Sequence, residues 1–162
     1  MVDESDKVLF RSSVDSAAPL DKDAPKMGAT QKVYAKFEAY SYISEAQLSG
    51  TEVLSYARSG VSNKLIKKMQ RGDIDYAPSI DLHGYTLTQT CQALSDFIYH
   101  HQNARFVHII HGKGYNSENN LSVLKTQVAS FLKQHPQVLA FHSCPAKDGG
   151  TGAVFVLLKN HV

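Results

Sequence analysis

The chain has 162 residues, 43% of them apolar and 20% charged, with a formal net charge of +2. That is enough for one domain with a real core and too little for two ordinary ones, and it excludes both wholesale disorder and a histone-like polycation. No apolar run approaches the roughly 18 residues that would span a bilayer.

The opening Met-Val-Asp-Glu-Ser-Asp is acidic where a signal peptide would be basic and then apolar. Cys91 and Cys144 form no Cys-x-x-Cys pair and are expected to stay reduced. Together these features predict a cytoplasmic protein with no membrane partner.

The charge is unevenly spread. Residues 1–30 carry six acids and four bases, residues 58–72 carry five bases and no acid, and residues 79–162 carry six bases and four acids. All eight histidines lie in that last stretch. The pattern suits an anionic partner bound locally.

In chain order, residues 1–57 read as a partly ordered N-terminal extension. Pro19 and Pro25 break it, Leu9-Phe10 is an isolated apolar pair, and Tyr34, Phe37, Tyr40, Tyr42 and Ile43 make an aromatic stretch without a clean period, taken as loop. Order is expected to resume after Gly60. Residues 58–78 read as a basic helix and connector. Val61, Leu65 and Met69 form the apolar stripe, Ser62 is the N-cap and Gly72 the stop, and Lys64, Lys67, Lys68 and Arg71 lie opposite. Such a basic face serves either solvation or phosphate contact.

Residues 79–162 read as the main domain. Ser79–His83 is a strand between Pro78 and Gly84, and Thr86 to about Gln102 a helix with Leu87, Cys91, Leu94 and Ile98 on one stripe. Phe106–His111 is a second strand. Asn119 or Asn120 caps a helix reaching about Gln134, with Leu121, Leu124, Val128, Phe131 and Leu132 as its apolar face. Val138–His142 is a third strand. Ala153–Leu158 is a fourth, apolar on both faces and therefore expected in the centre. The order β-α-β-α-β-β predicts an α/β fold, a mixed four-stranded sheet with two helices.

Asp81 and His83 stand two apart, so both side chains share one face at the carboxyl end of a strand, where open α/β folds place ligands. A carboxylate beside an imidazole fixes its tautomer. Read alone, the pair is also a capping Asp with a surface His. The second strand ends in His111-Gly112-Lys113-Gly114, where glycines admit an anion to the backbone and lysine adds a point charge. It lacks the ending and spacing of a P-loop. Gly149-Gly150-Thr151-Gly152, after Lys147-Asp148, is a hairpin loop that could also line a phosphate site, and His142 ends the third strand nearby. His100, His101, His108, His135 and His161 read as helix-end, core or surface residues.

No carboxylate cluster supports a two-metal site and no Gly-x-Ser-x-Gly supports a serine hydrolase; His83, His111 and His142 leave a His-only zinc site open, but no His-Glu-x-x-His spacing supports it. The sequence calls for no cofactor and does not support a divalent metal. Two histidines and a lysine around a Gly-rich cradle fit metal-independent phosphodiester cleavage better, with Asp81, His83 and His111 as the catalytic set.

Ile80-Asp81-Leu82-His83-Gly84, His111-Gly112-Lys113-Gly114 and Gly149-Gly150-Thr151-Gly152-Ala153, in this order and spacing, resemble the signature of the Smr (small MutS-related) domain. Phe141-His142-Ser143, the basic helix Val61–Gly72, and Leu9-Phe10-Arg11 with Pro19-Leu20 are similar to stand-alone bacterial Smr proteins. The resemblance implies a fold like the C-terminal domain of translation initiation factor three and endonuclease activity on DNA or RNA. It also implies, for some members, mRNA cutting on stalled ribosomes with the N-terminal extension touching the ribosome. Asp-x-His carries over to Asp81 and His83, and His-Gly-x-Gly to His111 through Gly114. One departure is that Tyr115-Asn116-Ser117 follows the loop where stand-alone members often have a base; Tyr115 can instead stack on a nucleobase.

The predicted nucleic-acid contacts are Gly112, Lys113, Gly114, Tyr115, His142, Lys147, Gly150, Gly152 and the basic helix face. The alternatives to a nuclease are a binding module without catalysis, or a ribosome-docking factor whose extension matters more than its site.

Overall fold

The computed structural model describes residues 32–42, 47–114 and 122–159. The expectations placed on Leu9-Phe10, Pro19-Leu20, Ile43, Tyr115, Asn119, Asn120, Leu121 and His161 lie outside them.

The elements, in chain order, are β1 (Ser55–Ala57), α1 (Asn63–Arg71), β2 (Ser79–Asp81), α2 (Leu87–His100), β3 (Phe106–Ile110), α3 (Val123–Gln134), β4 (Val138–Ser143) and β5 (Ala153–Leu158), with two 3-10 turns between β4 and β5. Each helix starts at a side-chain cap. Ser62 Oγ accepts from Lys64 N–H. Thr86 and Gln89 exchange hydrogen bonds as a capping box, at 3.2 and 2.9 Å. Ser122 Oγ accepts from Lys125 N–H, so α3 is capped by Ser122. The basic helix α1 ends at Gly72 as expected, where the Asp73 and Gly72 N–H groups donate to Lys68 and Met69 carbonyls.

The sheet has five strands in the order β1-β4-β5-β3-β2, parallel only between β2 and β3. The class is the one expected; the strand number is not. The fifth strand, β1, comes from the segment read as extension. It joins β4 because Leu54 exchanges bonds with Ser143 and Tyr56 stacks on Phe141, ring centroids 5.2 Å apart. Three residues are too few to show alternation in a sequence. β5 is buried at every position and lies in the centre.

The sheet is covered on both faces. α2 and α3 close one face over Leu82, Cys91, Leu94, Ile98, Val107, Ile109, Val128 and Phe131. α1 closes the other with Met69 over Phe106, Ala140, Phe155 and Leu157. Alternation along β3 therefore sends Val107 and Ile109 to the first face and Phe106, His108 and Ile110 to the second.

Order also begins earlier than Gly60. The aromatic stretch has no regular secondary structure, as expected, yet it packs: Phe37 and Tyr40 lie against Phe131, and Phe37 against His135. Its backbone is tied to the helices by bonds to Gln102 and Gln134 side chains. Further on, Leu48 N–H donates to Thr126 Oγ and Leu48 O accepts from Ser122 N–H. Arg58 donates to the His135 carbonyl at the end of α3, where a cation suits the unpaired carbonyls.

The strongest tie is Lys125. It is fully buried, and its ammonium donates to the carbonyls of Ser49, Gly50 and Glu52. Burial lowers its pKa, partly countered by the Glu52 charge and reinforced by Lys113. Lys125→Met would strand three carbonyls. We expect a loss of at least about 3 kcal/mol, read as a lower urea midpoint together with new proteolysis within 47–54.

Two buried histidines set an acid limit. Burial pushes His135 down to about 4, with Arg58 adding to the shift. Burial likewise holds His111 at about 4 against the favourable Gly112 carbonyl, with Lys125 adding to the depression. Both native values lie below the ordinary value of 6.5. Between those two pH values the unfolded chain takes up protons that the native rings refuse, so stability is intact above about pH 6.5 and falls towards pH 4. The full loss is on the order of 3 kcal/mol per ring. Urea unfolding at pH 7.5 and pH 5 measures this; equal midpoints would contradict neutral buried rings.

Candidate functional site

Because β2 and β3 run parallel, their carboxyl ends reach the same sheet edge, with Asp81 beside Ile110 and Leu82 N–H donating to Ile110 O at 2.8 Å. β5 starts at this edge, Ala153 opposite Ile110. Three segments with chemistry in their sequence thus meet at one end of the sheet.

Asp81 and His83 form a pair. Asp81 Oδ1 accepts from His83 Nδ1 at 2.8 Å and from His83 backbone N–H at 3.1 Å. The carboxylate therefore fixes the proton on Nδ1 and leaves Nε2 with its lone pair. The His83 side chain is 79% exposed. Burial pushes the Asp81 carboxyl upward, but the His83 backbone and ring outweigh it and hold it below its ordinary value. The pair is an ionised carboxylate orienting an accessible imidazole.

His111 is placed differently. It is 2% exposed, and its Nδ1–H donates to the Gly112 carbonyl at 2.8 Å. Its Nε2 is buried without a hydrogen-bond partner. It continues the alternation of Val107 and Ile109, so it faces the α2–α3 side, whereas Asp81 stands level with Ile110 on the α1 side. The structure does not bring His111 to the Asp81–His83 pair as a second accessible imidazole.

The two glycine-rich loops are joined. The N–H groups of His111 and Gly112 both donate to the Gly152 carbonyl, at 3.0 and 2.9 Å. A Cβ at Gly152 would lie 3.1 Å from Lys113 Cγ and 3.4 Å from the Gly112 carbonyl carbon, so the glycine lets the two loops approach without displacing Lys113 by a few tenths of an ångström. The Lys113 side chain runs on over Gly150, with Cε and Nζ 4.0 Å from the Cβ position there. Lys113, Gly150 and Gly152 form one surface. Gly114 abuts Ser122 at the start of α3.

His142 does not reach this edge as an open side chain. It is buried, its Nδ1–H donates to Ser143 O, and its Nε2 is 3.2 Å from Gln70 of α1. Lys147 is exposed, and its aliphatic stem lies over Gly72 at the end of α1. Lys64, Lys67, Lys68 and Arg71 line one concavity together with Asp73. Lys68 also stands 5.9 Å above the Phe106 ring.

One arrangement escaped the sequence. His108 bridges Ser79 Oγ, 3.0 Å from Nδ1, and the Asp148 carbonyl, 2.9 Å from Nε2. The carbonyl accepts, so Nε2 carries the proton and Nδ1 accepts from the serine hydroxyl. This ties the loop before Gly149 to β2. The period-2 pattern of β3 was the available signal, since it puts His108 on the same face as Asp81.

Among the described residues, no group of three or more His, Cys, Asp or Glu side chains is placed to hold a metal ion. No described helix is long and apolar enough to cross a membrane. Cys91 and Cys144 are buried and unbridged.

Comparison with known proteins agrees with the motifs. The model of the Smr domain matches residues 80–159. A ribosome rescue factor SmrB of Tolumonas auensis is 30% identical over 99% of this chain and 97% of its own length. One of Yersinia enterocolitica is 33% identical over 93% of this chain and 91% of its own. In fold, the chain is similar to YdaL, a stand-alone small MutS-related protein from Escherichia coli, with a TM-score of 0.61, 24% identity, and coverage of 70% of this chain and 88% of YdaL. A family signature at the sheet edge and relatives matched from end to end lead to one assignment: the chain belongs to the Smr (small MutS-related) family.

Proposed function

We propose that this protein is an endonuclease that cuts RNA by acid–base chemistry at the Asp81–His83 pair, and that it does so in association with ribosomes. The observation that carries the reading is the exposed imidazole with its tautomer fixed by a carboxylate. Nε2 of His83 takes the proton of a 2′-hydroxyl. The O2′–P bond forms, the P–O5′ bond breaks, and the leaving oxygen takes a proton from solvent. The products are a 2′,3′-cyclic phosphate and a 5′-hydroxyl. Lys113, lying over the Gly150–Gly152 loop, stabilises the charge that develops on phosphorus-bound oxygen. Lys64, Lys67, Lys68, Arg71 and Lys147 contact neighbouring phosphates. His111 is a positioning residue in this scheme: as a buried neutral ring it holds the Gly112 carbonyl and shapes the loop that carries Lys113. No cofactor enters the reaction.

The ribosome enters through the relatives, which carry the name ribosome rescue factor. We assign ribosome contact to residues 1–30, the first part of the stretch read from the sequence as an N-terminal extension.

RNA cleavage should persist in EDTA and spare a 2′-deoxy substrate. His83→Ala should lower the rate by roughly 10²–10⁴-fold, and added imidazole should restore part of it. Added imidazole should restore nothing to His111→Ala. Rescue of His111→Ala would return that residue to the proton-transfer step, and binding without any product would reduce the protein to a binding module. Separately, deleting residues 1–30 should lower co-sedimentation with ribosomes while cutting of bare RNA continues; unchanged co-sedimentation would move the contact to the folded unit.

A further inference from the structure

We propose that Tyr85 is the residue that positions the nucleobase beside the reacting phosphate, by stacking on it. The inference rests on the reading of Asp81–His83 as a site that handles nucleic acid.

Leu82, His83, Gly84 and Tyr85 form a four-residue turn. It is closed by the Tyr85 N–H donating to Leu82 O at 3.1 Å, with Gly84 at φ 78 in the third position, as a type II turn requires. Such a turn keeps its ends within about 7 Å. The imidazole and the phenol ring therefore leave the backbone from the same short turn. The turn is held at both ends. Leu82 is fully buried in the core and bonded to Ile110, and the next residue, Thr86, opens α2 with its capping box. A ring mounted on such a backbone has its point of attachment fixed before any ligand arrives, which lowers the cost of a stacking contact.

Tyr85 is 44% exposed, and it belongs to neither apolar cluster of the core. Among the described residues it stacks on no other ring. A single exposed tyrosine is ordinary on a surface. This one stands two residues from the accessible histidine, and among the described residues the side chains placed at this edge, Asp81, His83 and Lys113, are charged or polar. Every base has a π-face, so one aromatic ring can seat a base without reading its identity. A base seated on Tyr85 must leave the stack of its own strand. Tyr85 therefore disfavours a duplex at the cutting point and sets which phosphate faces His83.

The test uses the full chain and single-stranded 2′-O-methyl RNA, which lacks the 2′-hydroxyl and cannot react, carrying 2-aminopurine at successive positions. Wild type should quench the fluorophore. Tyr85→Phe should bind within about twofold of wild type, while Tyr85→Ala and Tyr85→Leu should bind roughly 5- to 100-fold more weakly and lose the quenching. Their salt dependence should match wild type, since no phosphate contact is removed. Wild-type affinity in Tyr85→Ala, or equal binding by Tyr85→Leu and Tyr85→Phe, would overturn the stacking role. If quenching depends on Tyr85 but ordinary RNA is never cut, the nuclease reading fails and the stacking site stands. If RNA is cut and Tyr85→Ala binds normally, the reverse holds. Absence of any single-strand binding would overturn both.

Discussion

A single carbonyl, that of Gly152, holds the candidate site together. It accepts two consecutive N–H groups, from His111 and Gly112, and so clamps the loop after β3 to the loop before β5. Those strands pair over five residues, Phe106–Ile110 against Ala153–Leu157, and the clamp extends their ladder past its last register position. The result is that Lys113 lies across the glycines of the opposite loop. A Cβ at position 152 would crowd it, 3.1 Å from Lys113 Cγ. The glycines are thus less an empty cradle than a floor for the lysine, and the cationic surface is built by backbone pairing more than by surface charge.

The same ladder separates the two histidines that the sequence had joined. Alternation across a pleated sheet is strict, and β2 and β3 are parallel and in fixed register. Asp81 shares its level and face with Ile110, so the residue that follows β3, His111, falls on the opposite face. There it meets α3 and Lys125 in place of solvent. Burial keeps the ring neutral, and a neutral ring donating through Nδ1 has only an unused lone pair to offer. His83 is the reverse case: its carboxylate partner lies in the strand behind it and its far nitrogen meets water. Under the proposed function one buried and one exposed imidazole at the same edge have different work, the first in the shape of the loop and the second in contact with the substrate.

Much of the fold was legible because each element carried its own boundaries. Ser62 and Gly72 bracketed α1, Thr86 opened α2, and the uniformly apolar run Ala153–Leu158 declared itself the central strand. What was missed lacked local signal. β1 is too short for a period, and residues 32–42 hold on through single contacts such as Phe37 on Phe131 and Tyr34 on Gln102. Nothing in the sequence singles out Lys125; its role follows from carbonyls more than seventy residues away. At the candidate site, the edge was legible but the face was not. Motif spacing gives the end of the sheet that residues reach. Whether a residue just past the end of a strand turns in or out depends on register between strands, and a single sequence does not carry that.

The basic helix α1 is tied to this edge through packing. Gly72, its last capping position, is pressed against Pro145 and the side chains of Lys147 and Asp148, and the Asp148 carbonyl in turn receives His108 from β3. Asp148 leads directly into Gly149 and the loop that supports Lys113. The chain of contacts runs from the end of α1, through the 3-10 turn, to the floor of the site. A rotation of α1 would therefore be felt at Gly149, and the orientation of Lys64, Lys67, Lys68 and Arg71 is set by the same turn that sets Lys113. Isolated surface lysines contribute charge in any arrangement. Lysines fixed to the same frame as Lys113 also keep a set spacing from it, and under the proposed function that spacing helps to align a long polyanion with the sheet edge.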